Sequence, residues 1–318
     1  MGLPGGRGCG YPLVRQHPRG VLPLQQMIDQ PSPPATECGS PGEVRPDRPL
    51  RIGAVQYLNT RPLVHGLAAA GVAVHYDLPS RLADRLAAGD LDVALIPSIE
   101  LFRGDRYRVV SDACIGCRGP VMSVKLLFRT APDRVTTLAT DEGSRTSATL
   151  ARILLAERHG VRPTTETLPI GAGPGDTRAD AVLVIGDRAL GSISGSFQLV
   201  WDLGDEWCRW TGLPFVFAVW AARAGVDATA IEPLLAAARD SGRANLAAIA
   251  AVEAAGHGLT VPQCLGYLRD NLHYHLGVRE REALELFREH AARLGLAPGG
   301  RATSRSPFTA TPHWSNHS

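Results

Sequence analysis

The sequence has 318 residues, of which 44% are hydrophobic and 20% are charged. This composition excludes a chain that is disordered throughout, and the length suffices for one large domain or two lobes of ordinary size. The formal net charge of +2 predicts no basic surface of the kind that binds nucleic acid, so we expect no nucleic-acid partner.

Both ends of the sequence are rich in Pro, Gly, Arg and Ser, without an apolar period. Such segments bury too little apolar surface to offset the entropy of ordering, so residues 1–49 and 297–318 are predicted to be disordered tails. The first residues lack the apolar stretch of a signal peptide, and no run is long and apolar enough to span a membrane. The scattered cysteines are typical of reduced thiols, which favours a cytoplasmic protein.

After residue 49, strand-like and helix-like segments alternate. The first block predicts the strands RIGAVQY, VAVHYDL, DVALIPS and YRVVSDACI, followed by the unusually apolar strand VMSVKLLFR. It also predicts two helices. One is RPLVHGLAAAG, closed by Gly71, and the other is SRLADRLAAG, capped by Ser80 and ended by Gly89.

A second block repeats the alternation. It predicts the strands RVTTLAT, ADAVLVIGD and LPFVFAVWAAR, and the helix ATLARILLAERHG. From about 227 to 295 the pattern is helical, with breaks near Gly256 and Gly277. Alternating strands and helices indicate parallel sheets covered by helices.

The two blocks predict an α/β fold of two lobes, in which the second lobe is inserted into the first. Residues 50–122 and 219–296 form lobe 1 in this interpretation, and residues 123–218 form lobe 2. Two apolar strands, one outgoing and one returning, join the lobes. A ligand cleft is then expected between them, faced by the turns that follow the strands.

The turns expected at this cleft carry mostly uncharged polar side chains. We expect substrate-binding or catalytic roles for Gln56, Asn59, Thr60, Ser98, Ser123, Ser144, Thr146 and Ser147, together with the acids Glu100 and Asp187. Two of the turns, LNTRP and GSRTSA, precede predicted helices, whose N-termini attract anions. This pattern suits a ligand with two carboxylates, although each Ser or Thr could equally be a helix cap.

Other chemistries find little support in the sequence. Lys125 is the only lysine and lies within a predicted strand. Cys114 and Cys117 lack the second ligand pair of a zinc site, so no metal is expected. No Gly-x-Ser-x-Gly nucleophile motif follows a strand. His273 and His275 are two residues apart, which is a poor spacing for a metal pair on a helix.

Several segments together resemble a known enzyme family. RIGAVQYLNTRPL, LAAGDLDVALIPSIE, GPVMSV, GSRTSATLARILL, ADAVLVIGD and DLGDEWCRWTGLPFVFAVWAAR follow the order found in chorismate dehydratase of the futalosine pathway to menaquinone. The resemblance covers residues 50–295 and implies a type 2 periplasmic-binding-protein-like fold. It also implies a cytoplasmic enzyme without metal or organic cofactor. The implied reaction is loss of water from the small-molecule substrate chorismate, giving 3-[(1-carboxyvinyl)oxy]benzoate.

The resemblance also implies roles for individual residues. Asn59 and Ser123 correspond to the family's active-site Asn and Ser, and the GSRTS turn corresponds to its anion-binding loop. Gln56 stands where many members have Ser. A neutral Asn cannot remove a proton from carbon. Our hypothesis is therefore that the substrate's own enolpyruvyl carboxylate is the base and that Asn59 orients this carboxylate or the departing hydroxyl.

Two other functions remain open at this point. A sister enzyme of the same fold, 1,4-dihydroxy-6-naphthoate synthase, is expected to need a His near the cleft, and none of the turns named above contains one. A non-catalytic protein that binds small carboxylates is the third possibility. The sequence does not determine the oligomeric state.

Overall fold

A computed structural model of the protein describes residues 49–191, 193 and 195–298. The tails predicted at 1–49 and 297–318 therefore lie almost wholly outside the described residues. Every helix within the described ranges is too short or too polar to cross a membrane.

The first sheet contains six strands. They are β1 (Ile52–Val55), β2 (Val74–Asp77), β3 (Val93–Pro97), β4 (Tyr107–Cys117), β10 (Phe215–Arg223) and β11 (His273–His275). Their spatial order is β11–β4–β10–β3–β1–β2. The pairs of β1 with β2 and β3 are parallel, whereas β10 is antiparallel to both β3 and β4. The predicted parallel pairing is found among β1, β2 and β3, whereas β10 is antiparallel because it returns from the second lobe in the opposite direction.

The second sheet contains five strands. They are β5 (Val124–Phe128), β6 (Thr137–Asp141), β7 (Thr164–Leu168), β8 (Ala181–Ile185) and β9 (Leu199–Asp202), in the order β7–β6–β8–β5–β9. This sheet is also mixed, since β6 is parallel to β7 and β8 while β5 is antiparallel to β8 and β9.

The chain passes between the sheets twice. The outgoing passage is the segment 118–123 between β4 and β5, and the return follows α3 (Leu203–Thr211). Phe215 already pairs with Cys117 of β4. The chain has therefore re-entered the first sheet four residues before the boundary expected at 219.

Helices cover both sheets. The remaining α-helices are α1 (Pro79–Ala88), α2 (Thr146–His159), α4 (Glu232–Ala244), α5 (Leu246–Glu253), α6 (Val261–Gly266) and α7 (Val278–Arg293). The helix predicted to be closed by Gly89 is α1, and Gly89 adopts φ 81° as expected for a left-handed C-cap. Ser80 is not its cap: Leu78 holds the N-cap position and Pro79 begins the helix.

The segment after β1 differs from its prediction as an α-helix. Leu58–Val64 form a 3-10 helix, and Gly66 and Gly71 both adopt positive φ beyond it. Pro62 has no N–H to donate within the helix, and Gly66 at φ 81° breaks any continuation. The short strand β11 and the π-helix Tyr267–Asn271 were also missed within the segment predicted as helical.

Candidate active site

A cavity lies where strand ends from both sheets meet. Its volume is about 490 Å³ including the open mouth. The first sheet and the turns beside it contribute Val55, Tyr57, Asn59, Pro79, Pro97, Ile115, Phe217 and Ala218. The outgoing passage and the second lobe contribute Val121, Ser123, Val124, Gly143, Ser144, Arg145, Thr146, Ser147, Ile185 and Gly186. The walls are thus largely apolar, with polar groups concentrated in a few turns.

Five of the residues predicted for the site line this cavity. They are Asn59, Ser123, Ser144, Thr146 and Ser147. Residues far apart in the sequence are brought together because each lies in a turn, or at the start of a helix, that follows a strand. Their convergence is the geometry expected of a ligand site in an open α/β fold.

The turn after β1 places Asn59 at the cavity, whereas Gln56 and Thr60 of the same turn do not line it. Asn59 is 8% exposed, and its Oδ1 accepts a hydrogen bond from Thr60 Oγ1 at 3.3 Å. Thr60 is completely buried and does not reach the cavity, and Gln56 is exposed away from it. With Oδ1 occupied by Thr60, the two amide N–H donors of Asn59 are left for other partners.

The turn before α2 and the first residues of that helix form a second polar wall of the cavity. Arg145 holds the N-cap position, and no side chain caps the helix, so the Ser/Thr capping alternative does not apply here. Ser144 Oγ is buried without a hydrogen-bond partner among the described residues. The N-terminus of a fourteen-residue helix and a free hydroxyl therefore stand together at the cavity, an arrangement that suits an anion.

Ser98 and Glu100 lie beside this wall and do not line the cavity. Ser98 Oγ donates to the Val216 carbonyl at 2.7 Å. Glu100, 5% exposed, accepts from Arg145 Nη1 at 3.3 Å. Arg145 also donates to Asp84 at 2.7 Å, so it links the second lobe to two acids of the first.

Asp187 also lies away from the cavity lining. Its Oδ1 accepts the Leu58 backbone N–H at 3.0 Å, and its Oδ2 is 3.3 Å from His257 Nδ1. Burial raises the pKa of Asp187, and the hydrogen bond from Leu58 acts in the opposite direction. Asp187 thus joins the second lobe to the turn that carries Asn59.

Ser123 follows a strained turn in the outgoing passage. Met122 adopts φ 61°, and the Asp202 carboxylate accepts the Val121 and Met122 N–H groups at 2.9 and 2.6 Å. Ser123 is 1% exposed and lines the cavity. Its carbonyl accepts the Gly186 N–H at 2.8 Å, which ties this turn to the end of β8.

Two polar side chains of the lining, those of Tyr57 and Arg145, were not predicted from the sequence. Tyr57 packs its ring against Gly186, and its buried hydroxyl has no hydrogen-bond partner among the described residues. Burial raises the pKa of Tyr57, with a smaller contribution from Asp141, so the phenol stays neutral and can donate. The period of two along an extended segment could have shown that Tyr57 and Gln56 face opposite ways. Arg145 lies within the GSRTS motif itself, so its position beside Ser144 and Thr146 could have indicated it.

The polar lining consists of hydrogen-bond donors and one cation. Among the described residues, no Asp, Glu, His or Lys side chain lines the cavity. Lys125 instead donates its Nζ to the Ala189 carbonyl at 2.7 Å. The described ranges also contain no group of three or more His, Cys, Asp or Glu side chains placed to hold a metal. This lining suits an anion, and the described residues that form it include no ordinary side-chain base.

Comparison with solved structures agrees with this architecture. A protein of Archaeoglobus fulgidus superposes with a TM-score of 0.58 at 17% identity, covering 78% of this chain and 98% of that chain. The periplasmic aliphatic sulphonate binding protein of Escherichia coli superposes with a TM-score of 0.52 at 16% identity, covering 78% and 88%. These likenesses concern the fold, and they confirm the predicted two-lobed, periplasmic-binding-protein-like architecture.

Sequence comparison identifies the family. A chorismate dehydratase of Thermus thermophilus is 31% identical over 280 residues, which is 79% of this chain and 98% of that protein. A chorismate dehydratase of Campylobacter jejuni is 30% identical over 170 residues, covering 54% of this chain and 60% of that protein. A sequence profile described as menaquinone biosynthesis matches residues 50–293. The chain therefore belongs to the menaquinone-biosynthesis family, as the motifs of its sequence predicted.

Proposed function

We propose that this protein is a chorismate dehydratase, a carbon–oxygen lyase that works in the cytoplasm without metal or organic cofactor. The observation that carries the proposal is the cavity itself. Its polar groups are donors aimed at an anion, and no acidic side chain of the described residues lines it. Chorismate is a dianion, and its ring needs only to lose water to become aromatic. The similarity to curated chorismate dehydratases supports the same substrate.

The two carboxylates of chorismate fit the two polar walls of the cavity. In this proposal the N-terminus of α2, with Ser144 and Ser147, holds the ring carboxylate. Arg145 lines the same wall, where its guanidinium is paired with Glu100 and Asp84. Asn59 faces them and donates an amide N–H to the enolpyruvyl carboxylate or to the departing hydroxyl. Hydrogen bonds to a charged group contribute roughly 1.5–3 kcal/mol each, so these few donors suffice for tight and oriented binding.

The reaction breaks one C–H and one C–O bond. The proton leaves the ring carbon that bears the enolpyruvyl ether, and its electron pair is delocalised through the diene toward the ring carboxylate. That pair then forms the new ring double bond as hydroxide leaves the neighbouring carbon. The enolpyruvyl carboxylate accepts the proton, and proton and hydroxide leave as water. Donors fixed at the ring carboxylate stabilise the charge that develops there.

Ser123 also lines the cavity. We place its hydroxyl at the departing hydroxyl, to which it donates as the C–O bond breaks. The apolar walls formed by Val55, Ile115 and Phe217 enclose the ring. Enclosure holds the enolpyruvyl group beside the proton that it removes, which makes the transfer effectively intramolecular.

A non-catalytic carboxylate-binding protein is the second candidate, since the fold is shared with a sulphonate-binding protein. The naphthoate-synthase alternative has less support, because no His of the described residues lines the cavity. Incubation of purified protein with chorismate, followed by mass spectrometry and ultraviolet absorption, separates the three. Loss of one water with formation of a benzoate chromophore supports the dehydratase. Recovery of unchanged chorismate would overturn it.

A further inference from the structure

A buried tyrosine lies next to Asn59 and Ser123, the two residues to which we give catalytic roles. Tyr267 is 2% exposed, is the first residue of the π-helix Tyr267–Asn271 and does not line the cavity. Burial raises the pKa of Tyr267, whereas hydrogen bonding by Ser123 and Asn59 acts to lower it. The phenol is therefore protonated, and it lies within reach of both side chains.

The hydroxyl of Tyr267 is buried without a hydrogen-bond partner among the described residues. Ser123 and Asn59 lie nearby, but neither they nor any other described residue forms a well-formed hydrogen bond with it. Buried hydroxyls are normally paired, and an unpaired one in a packed core needs a reason. Tyr274 provides the contrast: it is buried to the same degree, but its hydroxyl donates to the Leu268 carbonyl at 3.2 Å.

Local structure holds Tyr267 firmly in this place. A Thr260–Gln263 capping box begins α6, which leads directly into the π-helix. At the other end of the π-helix, Asn271 Nδ2 donates to the Pro120 carbonyl at 2.9 Å, within the passage that carries Ser123. π-Helical turns are rare and are found frequently at functional sites. Their wider turn shifts a side chain out of the regular helical register.

We propose that Tyr267 is a positioning residue that sets the donor directions of Asn59 and Ser123. The arrangement that we infer adds two hydrogen bonds that the structure leaves unformed. One runs from an amide N–H of Asn59 to the Tyr267 oxygen, and the other runs from the Tyr267 O–H to Ser123 Oγ. The second N–H of Asn59 and the O–H of Ser123 are then both directed into the cavity. Thr60 completes the arrangement, since its hydroxyl occupies Asn59 Oδ1 and fixes the orientation of the amide.

This inference deepens the proposed function and rests on it. Tyr267→Phe removes one oxygen and keeps the ring, so we expect the fold to be retained. Dehydration should lose about tenfold or more in kcat, while KM and the Kd for chorismate change by less than about threefold. The matched control is Tyr274→Phe, which removes a satisfied hydroxyl from a buried tyrosine nearby. It should lower the melting temperature and leave kcat unchanged.

A double-mutant cycle separates positioning from general packing. If Tyr267 acts through Asn59, adding Tyr267→Phe to Asn59→Ala should reduce kcat by less than about twofold further. Wild-type kcat in Tyr267→Phe would overturn the inference, as would an equal loss of kcat in Tyr274→Phe. Full additivity with Asn59→Ala would also overturn it.

A structural readout makes the inference independent of turnover. Crystal structures of the wild-type protein and of Tyr267→Phe should show changed side-chain positions for Asn59 and Ser123 and an unchanged backbone. Identical side chains in the two structures would contradict the inference. This comparison applies even if the protein leaves chorismate unchanged, a result that would overturn the proposed function instead.

Discussion

Gly186 allows the two lobes to meet at the cavity wall, and an added methyl group should separate them. Gly186 adopts φ 63°, and a Cβ there would lie 2.6–2.7 Å from three ring carbons of Tyr57. These distances are far inside van der Waals contact, and both the backbone and the ring belong to packed structure. Gly186→Ala therefore combines left-handed backbone strain with overpacking.

Gly212 provides a control with the same strain and no clash. It adopts φ 71°, and a Cβ there would meet no atom within 4 Å. Left-handed strain costs roughly 1–2 kcal/mol at either position. Overpacking adds about 1–3 kcal/mol at Gly186 alone, and each kcal/mol lowers Tm by about 2–4 °C in a chain of this size. We expect Gly186→Ala to melt about 6 °C below Gly212→Ala.

Activity distinguishes the two variants further. Because Tyr57 lines the cavity, its displacement should lower kcat/KM for chorismate by about tenfold or more in Gly186→Ala, and Gly212→Ala should match the wild type. Differential scanning calorimetry and steady-state kinetics measure the two effects. Equal melting temperatures together with unchanged kcat/KM would show that Tyr57 and Gly186 are not in contact in solution.

Three further predictions concern the polar groups. Ser123→Ala and Thr146→Ala should each lower kcat/KM by about ten- to a hundredfold with the fold retained, because each removes a hydrogen bond to a charged ligand. Unchanged kcat/KM in both variants would mean that the substrate binds elsewhere. Asn59→Asp should be less active than Asn59→Ala, because a new carboxylate repels the dianionic substrate. Wild-type activity in Asn59→Asp would mean that a protein carboxylate can take the proton. Burial raises the pKa of Asp141 above 3.8, so its contribution to stability is fully present below that pH and is lost as the pH rises through the raised value. When urea unfolding is measured across pH, the free energy of unfolding of Asp141→Asn should therefore decline less than that of the wild type above about pH 4. An equal decline in both proteins would show that the pKa of Asp141 is not raised.

The sequence predicts most of the lobe architecture because strands and helices alternate with clear periods. Continuous apolar runs marked β3 and β8, both of which are fully buried. The antiparallel placement of β10 could not be read from periodicity, since it depends on where the returning chain inserts between β3 and β4. The strand β11 and the π-helix before it depend on tertiary contacts that no local pattern encodes.

Part of the candidate site could be predicted because turns at the ends of neighbouring strands converge. Asn59, Ser123 and the residues before α2 reach the cavity for this reason. Thr60 and Ser98 carry equally suitable hydroxyls, yet these bond to Asn59 Oδ1 and to the Val216 carbonyl. Hydrogen-bond partners distant in sequence therefore decide which hydroxyls are free to contact a ligand and which bond within the protein. Tyr267, to which we assign a positioning role, lies in a segment that carries no sequence motif.

The substrate's role as its own base is the central claim, and a modified substrate tests it most directly. A chorismate analogue with the enolpyruvyl carboxylate converted to its methyl ester keeps the ring, the ring carboxylate and the leaving hydroxyl. The wild-type enzyme should bind this analogue but release no water from it, as followed by mass spectrometry beside a chorismate control. Dehydration of the ester at a kcat close to that of chorismate would contradict the claim, because the proton would then have to go to a group of the protein.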